Sequence, residues 1–271
     1  MDPAGVNYTE KEDKMIIDTH AHYDDKAFDG DREGVLADLA AHSVHRVINS
    51  GSDLGTCRRT IELMEEYPFV YGSLGIHPCD TMDLTEEDMT WLAQQSHLEK
   101  CVAIGEIGLD YYWNEPERRL QRKWFVRQLQ LAQEVGLPVV IHSREAAQDT
   151  VDLMQAEHAE RSGGVIHCYS YSKELARTFL DMGFYFGIGG VVTFKNGRKL
   201  KETVEYLPMD RILLETDSPY LSPVPNRGKR NDSRSLSYVV SQIAQIKGIT
   251  EEEVEQITTE NALRLYPRLR V

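Results

Sequence analysis

The sequence predicts a single (β/α)8 barrel of the TIM type, and three observations carry that reading. Eight short, β-branched, nearly continuous apolar runs recur along the chain. This is the pattern of parallel strands covered on both faces. An amphipathic segment follows each run, and the length of 271 residues suits one such barrel, which takes about 250 residues.

The runs begin near residues 15, 45, 70, 101, 138, 164, 185 and 211, as in "KMIID", "HRVINSG", "CVAIGEIG" and "RILLETD". Helical punctuation lies between them. Asp53 is placed to cap the helix after the second strand. Thr85 and Asp88 have the spacing of an acidic capping box after the third. The long helix after the fourth has Pro116 in its expected first turn and Gly136 as its left-handed stop. Two helical segments, "SRSLSYVVSQIAQIKG" and "TEEEVEQITTENALRLY", follow the eighth strand. A doubly wound open sheet would want a glycine-rich fingerprint at its first turn, and histidines stand there instead.

Residues 1–14 are polar and read as a flexible extension, which leaves the barrel domain over residues 15–271. The chain lacks both the apolar core of a signal peptide and a run of about 20 apolar residues, so a cytoplasmic protein without a membrane span is expected. Four cysteines, Cys57, Cys79, Cys101 and Cys168, lack CxxC spacing and read as small buried thiols. A formal net charge of −14 argues against a broad nucleic-acid-binding face, which needs stripes of Lys and Arg. It leaves room for a small phosphate pocket. No obligate protein partner is expected.

In such a barrel, chemistry sits where the strands end and the loops begin. The first strand ends in His20 and His22, the second in Asn49 and Ser50, and the third in His77. The fourth carries Glu106, the fifth His142 with Arg144 beyond it, and the sixth His167. The seventh ends in Gly189 and Gly190, and the eighth in Glu215 and Asp217. Five of the nine histidines thus fall at expected strand ends, where chance would place about one. His20 and His22, two apart on a strand, share a face. Glu106 and Asp217 stand in apolar surroundings, where a carboxylate is costly unless paired or metal-bound. Imidazole and carboxylate donors suit divalent ions such as Mg, Mn or Zn. Four histidines, one Glu and one Asp exceed the needs of one tetrahedral ion and suit two ions sharing a bridging carboxylate. Asp18 lies on the same face as the histidine pair, one step deeper, and reads as a partner that orients a ligand histidine. Asp24 and Asp25 read as solvated loop residues.

The motifs "DTHAH", "GIHP", "GEIGLDY", "IHSR", "HCYS", "VTFKN", "LLETDSPYL" and "RGKRN" occur in this order. Together they resemble the motif series of the TatD family of metal-dependent hydrolases, many described as deoxyribonucleases. The resemblance implies that His20, His22 and Asp217 bind one ion, that His142 and His167 bind a second, and that Glu106 bridges them. It implies that His77 faces the substrate phosphate, and that DNA ends are the substrate of a 3′-to-5′ exonuclease. Departures fall outside these ligands. Asp232-Ser233 replaces the usual Glu-Pro, Tyr169-Ser170-Tyr171 lacks the usual glycine, and Gly189-Gly190 precedes Val191 in place of Ser-Gly.

The expected mechanism is hydrolysis of a phosphodiester by a metal-activated water, with Asp217 taking or relaying its proton. Arg227, Lys229 and Arg230, directly after the eighth strand, are expected to bind phosphate. Tyr111, Tyr112 and Trp113 could stack bases. The same centre could instead cleave an amide, a lactone or an aminoacyl-tRNA ester, because chemistry belongs to the site and not the fold. A metal-binding scaffold without activity is disfavoured by the complete donor set.

Overall fold

The computed structural model describes residues 15–113 and 115–270. The extension expected over residues 1–14 lies outside them. Eight parallel strands follow one another around a single sheet in chain order. They are β1 (Ile16–Ala21), β2 (Val44–Ser50), β3 (Val70–Leu74), β4 (Cys101–Asp110), β5 (Val139–Arg144), β6 (Gly164–Ile166), β7 (Tyr185–Ile188) and β8 (Ile212–Leu214). Nine α-helices are found among the described residues: α1 (Arg32–Asp38), α2 (Leu54–Glu66), α3 (Glu86–Gln95), α4 (Arg118–Val135), α5 (Ala147–Ala156), α6 (Lys173–Asp181), α7 (Arg198–Tyr206), α8 (Leu236–Lys247) and α9 (Glu251–Leu265). The predicted TIM-type barrel is therefore observed. No described helix is long and apolar enough to cross a membrane.

Local chemistry explains the helix boundaries. Asp53 and Thr56 cap α2 reciprocally, and Thr85 and Asp88 do the same for α3. Gly136 ends α4 with φ 68°, a left-handed conformation that glycine adopts without a Cβ penalty. Pro116 falls outside the first turn expected for it, because Glu117 is the N-cap and α4 begins at Arg118.

The strands divide the barrel interior into two levels. The lower level is apolar. Ile17, Ile48, Tyr71, Val102, Val140, Val165, Tyr185 and Leu213 pack together with Tyr266 and Leu269 from the C-terminal segment. Strand residues two or four positions on share the same face. The next residues up are therefore Ser50 on β2, Ser73 on β3, His142 on β5, His167 after β6, Gly187 on β7 and Glu215 after β8. On β4 the register against β5 shifts between Ile104 and Ile107, and Glu106 reaches this polar level across that irregularity. β1 reaches the same level out of phase, because its register against β2 shifts twice.

β1 and β8 close the barrel without a continuous ladder. Among the described residues one isolated bridge, Ala21 to Ser218, joins them. The rest of the seam is built from single hydrogen bonds. The Thr19 hydroxyl donates to Leu214 O at 2.9 Å. The Asp217 N–H donates to His20 O at 2.9 Å, and the His22 N–H to Ser218 O at 2.8 Å. Asp18 is fully buried at the centre of this seam. Its carboxylate accepts from the N–H groups of His20 and Thr216, and from the hydroxyls of Thr216 and Ser233. Burial pushes its pKa up to about 7 against the pull of these hydrogen bonds.

Removing the Asp18 carboxylate would leave those buried donors without an acceptor, and each unsatisfied group costs about 1–3 kcal/mol. Asp18→Ala is expected to lower stability by roughly 3–5 kcal/mol in denaturant unfolding. Asp18→Asn, which keeps one acceptor oxygen, should lose markedly less. Equal losses in the two variants would contradict an acceptor role at the seam.

Candidate metal centre

Six of the predicted side chains converge on the barrel mouth. His20 Nε2 lies 3.1 Å from His22 Nε2. His20 Nε2 is 3.4 Å from Glu106 Oε2 and 3.8 Å from Asp217 Oδ1. His22 Nε2 is 3.4 Å from the same Asp217 oxygen. His167 Nε2 stands 3.7 Å from Asp217 Oδ1 and 3.8 Å from Glu106 Oε1. His142 Nδ1 donates to Glu106 Oε1 at 2.8 Å. Glu106 is the hub that all four imidazoles face.

The mouth opens into a cavity of about 750 Å³ whose lining includes Asp24, Lys26, His77, Asp80, Arg144 and Tyr220. Arg144 lies over the Tyr112 ring at 3.8 Å. His77 is three residues beyond β3 and not at its end, because the chain leaves the strand at Leu74. It caps the short 3-10 turn Pro78–Asp80 by accepting from Cys79 N–H, and its Nε2 is 4.0 Å from Glu106 Oε1. Asp24, expected in solvent, lines the cavity and accepts from the Asn49 amide at 2.8 Å.

The basic loop does not face this cavity. Arg230 forms a two-pronged ion pair with Asp31 at 2.6 and 2.7 Å. Arg230 and Lys229 line a separate cavity beside α8. Arg227 lies over the Phe194 ring at 4.4 Å. The cations at the mouth are Lys26 and Arg144.

Outer partners orient the imidazoles, as metal-ligand histidines require. His22 Nδ1 donates to Ser50 O at 2.8 Å, which leaves Nε2 for the mouth. His20 Nδ1 meets the Ser50 hydroxyl at 3.1 Å. His167 Nδ1 donates to Glu215 at 3.1 Å, and His142 Nε2 donates to Asp110 at 3.0 Å. The role of Asp110 was not read from the sequence. The signal is its position four residues after Glu106, on the same face of a fully buried strand. Asp18 steadies His20 through the backbone N–H and not through the ring. Gly187 makes room for Glu215, since a Cβ there would stand 2.0 Å from its Oε2.

The electrostatics fit a cation centre. Burial opposes charge on Glu106, yet the neighbouring imidazoles, His167 foremost, hold its pKa well below the usual carboxylate range. Burial also opposes protonation of His22 and His167. The carboxylates Asp217 and Glu106 nevertheless raise His22 to about 9, and Glu215 with Glu106 raises His167 to about 10. Without ions, protons hold the charge balance in a site whose two Nε2 atoms face each other at 3.1 Å. Donor triplets able to hold an ion include His20–His22–Asp217, His20–Glu106–His167 and His77–Glu106–His142. The first matches the set implied by the resemblance. In the others, His167 and His142 group separately around Glu106.

A buried carboxylate ringed by oriented histidines at the mouth of a (β/α)8 barrel defines a metal-dependent hydrolase. The chain belongs to the TatD family, described as TatD related DNase, whose pattern matches residues 17–267. It is 47% identical over 252 residues to the uncharacterized metal-dependent hydrolase YabD of Bacillus subtilis, covering 93% of this chain and 99% of that one. It is 37% identical over 256 residues to the uncharacterized metal-dependent hydrolase YcfH of Escherichia coli, covering 93% and 96%. The crystal structure of YJJV, a TatD homolog from Escherichia coli, superposes with a TM-score of 0.88 at 30% identity, covering 93% and 98%.

Because His22 and His167, and His142 donating from both ring nitrogens, would shed protons to act as ligands, metal binding near pH 7 is expected to release about two to three protons per chain. Calorimetry in buffers of different ionisation enthalpy counts them. Affinity should weaken as pH falls, since the raised pKa values keep the protonated imidazoles populated at and below neutrality. Binding without proton release would contradict this arrangement.

Proposed function

We propose that this protein hydrolyses phosphodiester bonds at DNA ends, removing nucleotides in the 3′-to-5′ direction with two divalent ions per chain. The convergence of His20, His22, His142 and His167 on the single carboxylate of Glu106, with Asp217 facing His20, His22 and His167, carries the reading. Six donors exceed the needs of one ion, and Glu106 presents one oxygen to His20 and the other to His142.

His20, His22 and Asp217 would hold one ion, His142 and His167 the second, and Glu106 would bridge both. When bound, such ions lower the pKa of water and offset charge on phosphoryl oxygens. The chain's own groups do the rest. Asp217, kept ionised by its imidazole neighbours despite burial, accepts the proton of the attacking water. Glu215 and Asp110 hold the His167 and His142 rings in place. His77 and Arg144 bind the phosphoryl oxygens, with Lys26 as a further cation on the cavity wall.

DNA as substrate is supported by the rim. Tyr112, 49% exposed beneath the Arg144 guanidinium, and Trp113, 55% exposed, offer stacking surface for unpaired bases. Tyr220, 54% exposed, stands on the cavity wall. Arg227, Lys229 and Arg230 lie away from the mouth, so phosphate contact is confined to a few positions. That suits a strand end better than a long duplex. The four free cysteines suit a reducing cytoplasm.

The test uses single-stranded DNA labelled at either end, with Mg or Mn. A 5′ label should shorten stepwise, and a 3′ label should leave at once as a mononucleotide. A chelator should abolish both. Asp217→Asn should lose about 10²–10⁴-fold in rate, the usual contribution of a proton-transfer group. Wild-type activity in that variant, or no cleavage by metal-restored wild type, would overturn the reading.

A further inference from the structure

The four thiols fall into two kinds. Cys57 and Cys101 are fully buried and donate to the carbonyls of Gly75 and Ala103 at 3.3 and 3.7 Å. Cys79 and Cys168 are half-buried. No hydrogen bond from either thiol is found among the described residues, and each lies within a cluster of metal-ligating atoms. Cys168 is grouped with His167 and Asp217, so it belongs to the centre already described. Cys79 is not. Its partners are His77 and Asp110, and one ligating atom from each of the three lies within 4.8 Å of the others. None of the three is among the six donors assigned to the two ions.

The fold sets this triad deliberately apart in chemistry. The six donors of the main centre are imidazoles and carboxylates, a set that accepts hard or borderline ions. The triad adds a thiol, which as thiolate selects thiophilic ions such as zinc. The 3-10 turn at Pro78–Asp80 folds Cys79 back beside His77. Asp110 closes the group from the end of β4. Three protein donors with an open fourth position match the usual coordination of zinc.

We propose that His77, Cys79 and Asp110 form a third, thiophilic cation site beside the catalytic centre, and that zinc bound there inhibits the enzyme. Binding deprotonates the Cys79 thiol, and the proton leaves to solvent. The ion would occupy His77, which the functional reading assigns to substrate phosphate. It would also take the Asp110 oxygen that receives the His142 Nε2 proton at 3.0 Å, loosening a ligand of the main centre. The inhibitory part rests on the proposed hydrolytic function, whereas occupancy of the site does not.

Cobalt(II) is the spectroscopic probe. Titrated into metal-free protein, it should give a thiolate-to-cobalt charge-transfer band that Cys79→Ala removes and Cys168→Ala keeps. Zinc analysis after desalting should find one equivalent fewer in Cys79→Ala. In assays with saturating Mn, the zinc concentration for half inhibition should rise at least about tenfold in Cys79→Ala, in line with the loss of affinity when a metal site is weakened. Activity without zinc should be unchanged, since Cys79 touches neither substrate nor catalytic ions. A band that survives in Cys79→Ala and vanishes in Cys168→Ala would overturn the assignment, as would unchanged zinc stoichiometry. A Cys79-dependent band in a protein that cleaves no DNA would keep the site and sink the nuclease reading instead.

Discussion

The seam between β1 and β8 is the constraint on which the site depends. A parallel barrel must join its first and last strands, and here the residues to be joined are also the candidate metal donors. His20 and His22 come from one side and Asp217 from the other. Among the described residues a continuous ladder between the two strands is absent at this junction. The chain instead ends β8 at Leu214 and continues through Glu215, Thr216 and Asp217 as irregular backbone. Asp18 replaces the missing ladder bonds with one buried carboxylate that accepts from donors on both sides. The distance from His22 Nε2 to Asp217 Oδ1, 3.4 Å, is set by that junction.

The inner face explains why the centre is polar only at one end. On β5 and β6 the steps from Val140 to His142 and Val165 to His167 are two residues, and each keeps the face and climbs the barrel. β4 brings Glu106 to the same level across a register shift between Ile104 and Ile107, leaving an apolar floor of side chains beneath the charges. Water cannot reach the carboxylates from below, so their charge must be balanced from within the storey or from the mouth. The raised pKa values of His22 and His167 express that demand. A dry floor, histidines tied from behind and one opening direct any balancing cation to the same place.

Much of this was legible in the sequence, and the failures have physical causes. Glu106 stood out because an apolar strand rarely carries a carboxylate. His20 and His22 stood out because a two-residue spacing shares a face. Both signals are local, and all three residues reach the mouth. Asp110 obeys the same periodicity but borders Tyr111 and Tyr112, so no apolar flank on both sides marks it out. His77 was placed at a strand end, since apolar Ile76 prolongs the run past Leu74, where β3 ends. The basic loop misled most. Its charges look free in one dimension, but Arg230 meets Asp31 across 199 positions of sequence, and no local pattern announces such a pair. Of the four thiols expected to be buried, Cys57 and Cys101 are, whereas Cys79 and Cys168 are half-buried.

The charge of the mouth determines the order of events there. Asp24, Asp25, Asp80, Glu106 and Asp217 line the cavity against Lys26 and Arg144. Without ions, protonated His22 and His167 offset the charge of Glu106 and Asp217 at the floor, while Asp24, Asp25 and Asp80 stay on the cavity wall. Divalent ions would replace those protons and add positive charge at the floor, leaving the rim acids in place. A strand end can then be drawn to the centre, while the body of a polyanion is repelled by the rim and by the negative surface as a whole. The basic loop cannot relieve that repulsion, because Arg230 is already neutralised by Asp31 and Lys229 opens on another cavity. Under the proposed function, metal binding would therefore serve twice: it would supply the chemistry, and it would favour an anionic substrate at the floor of the cavity.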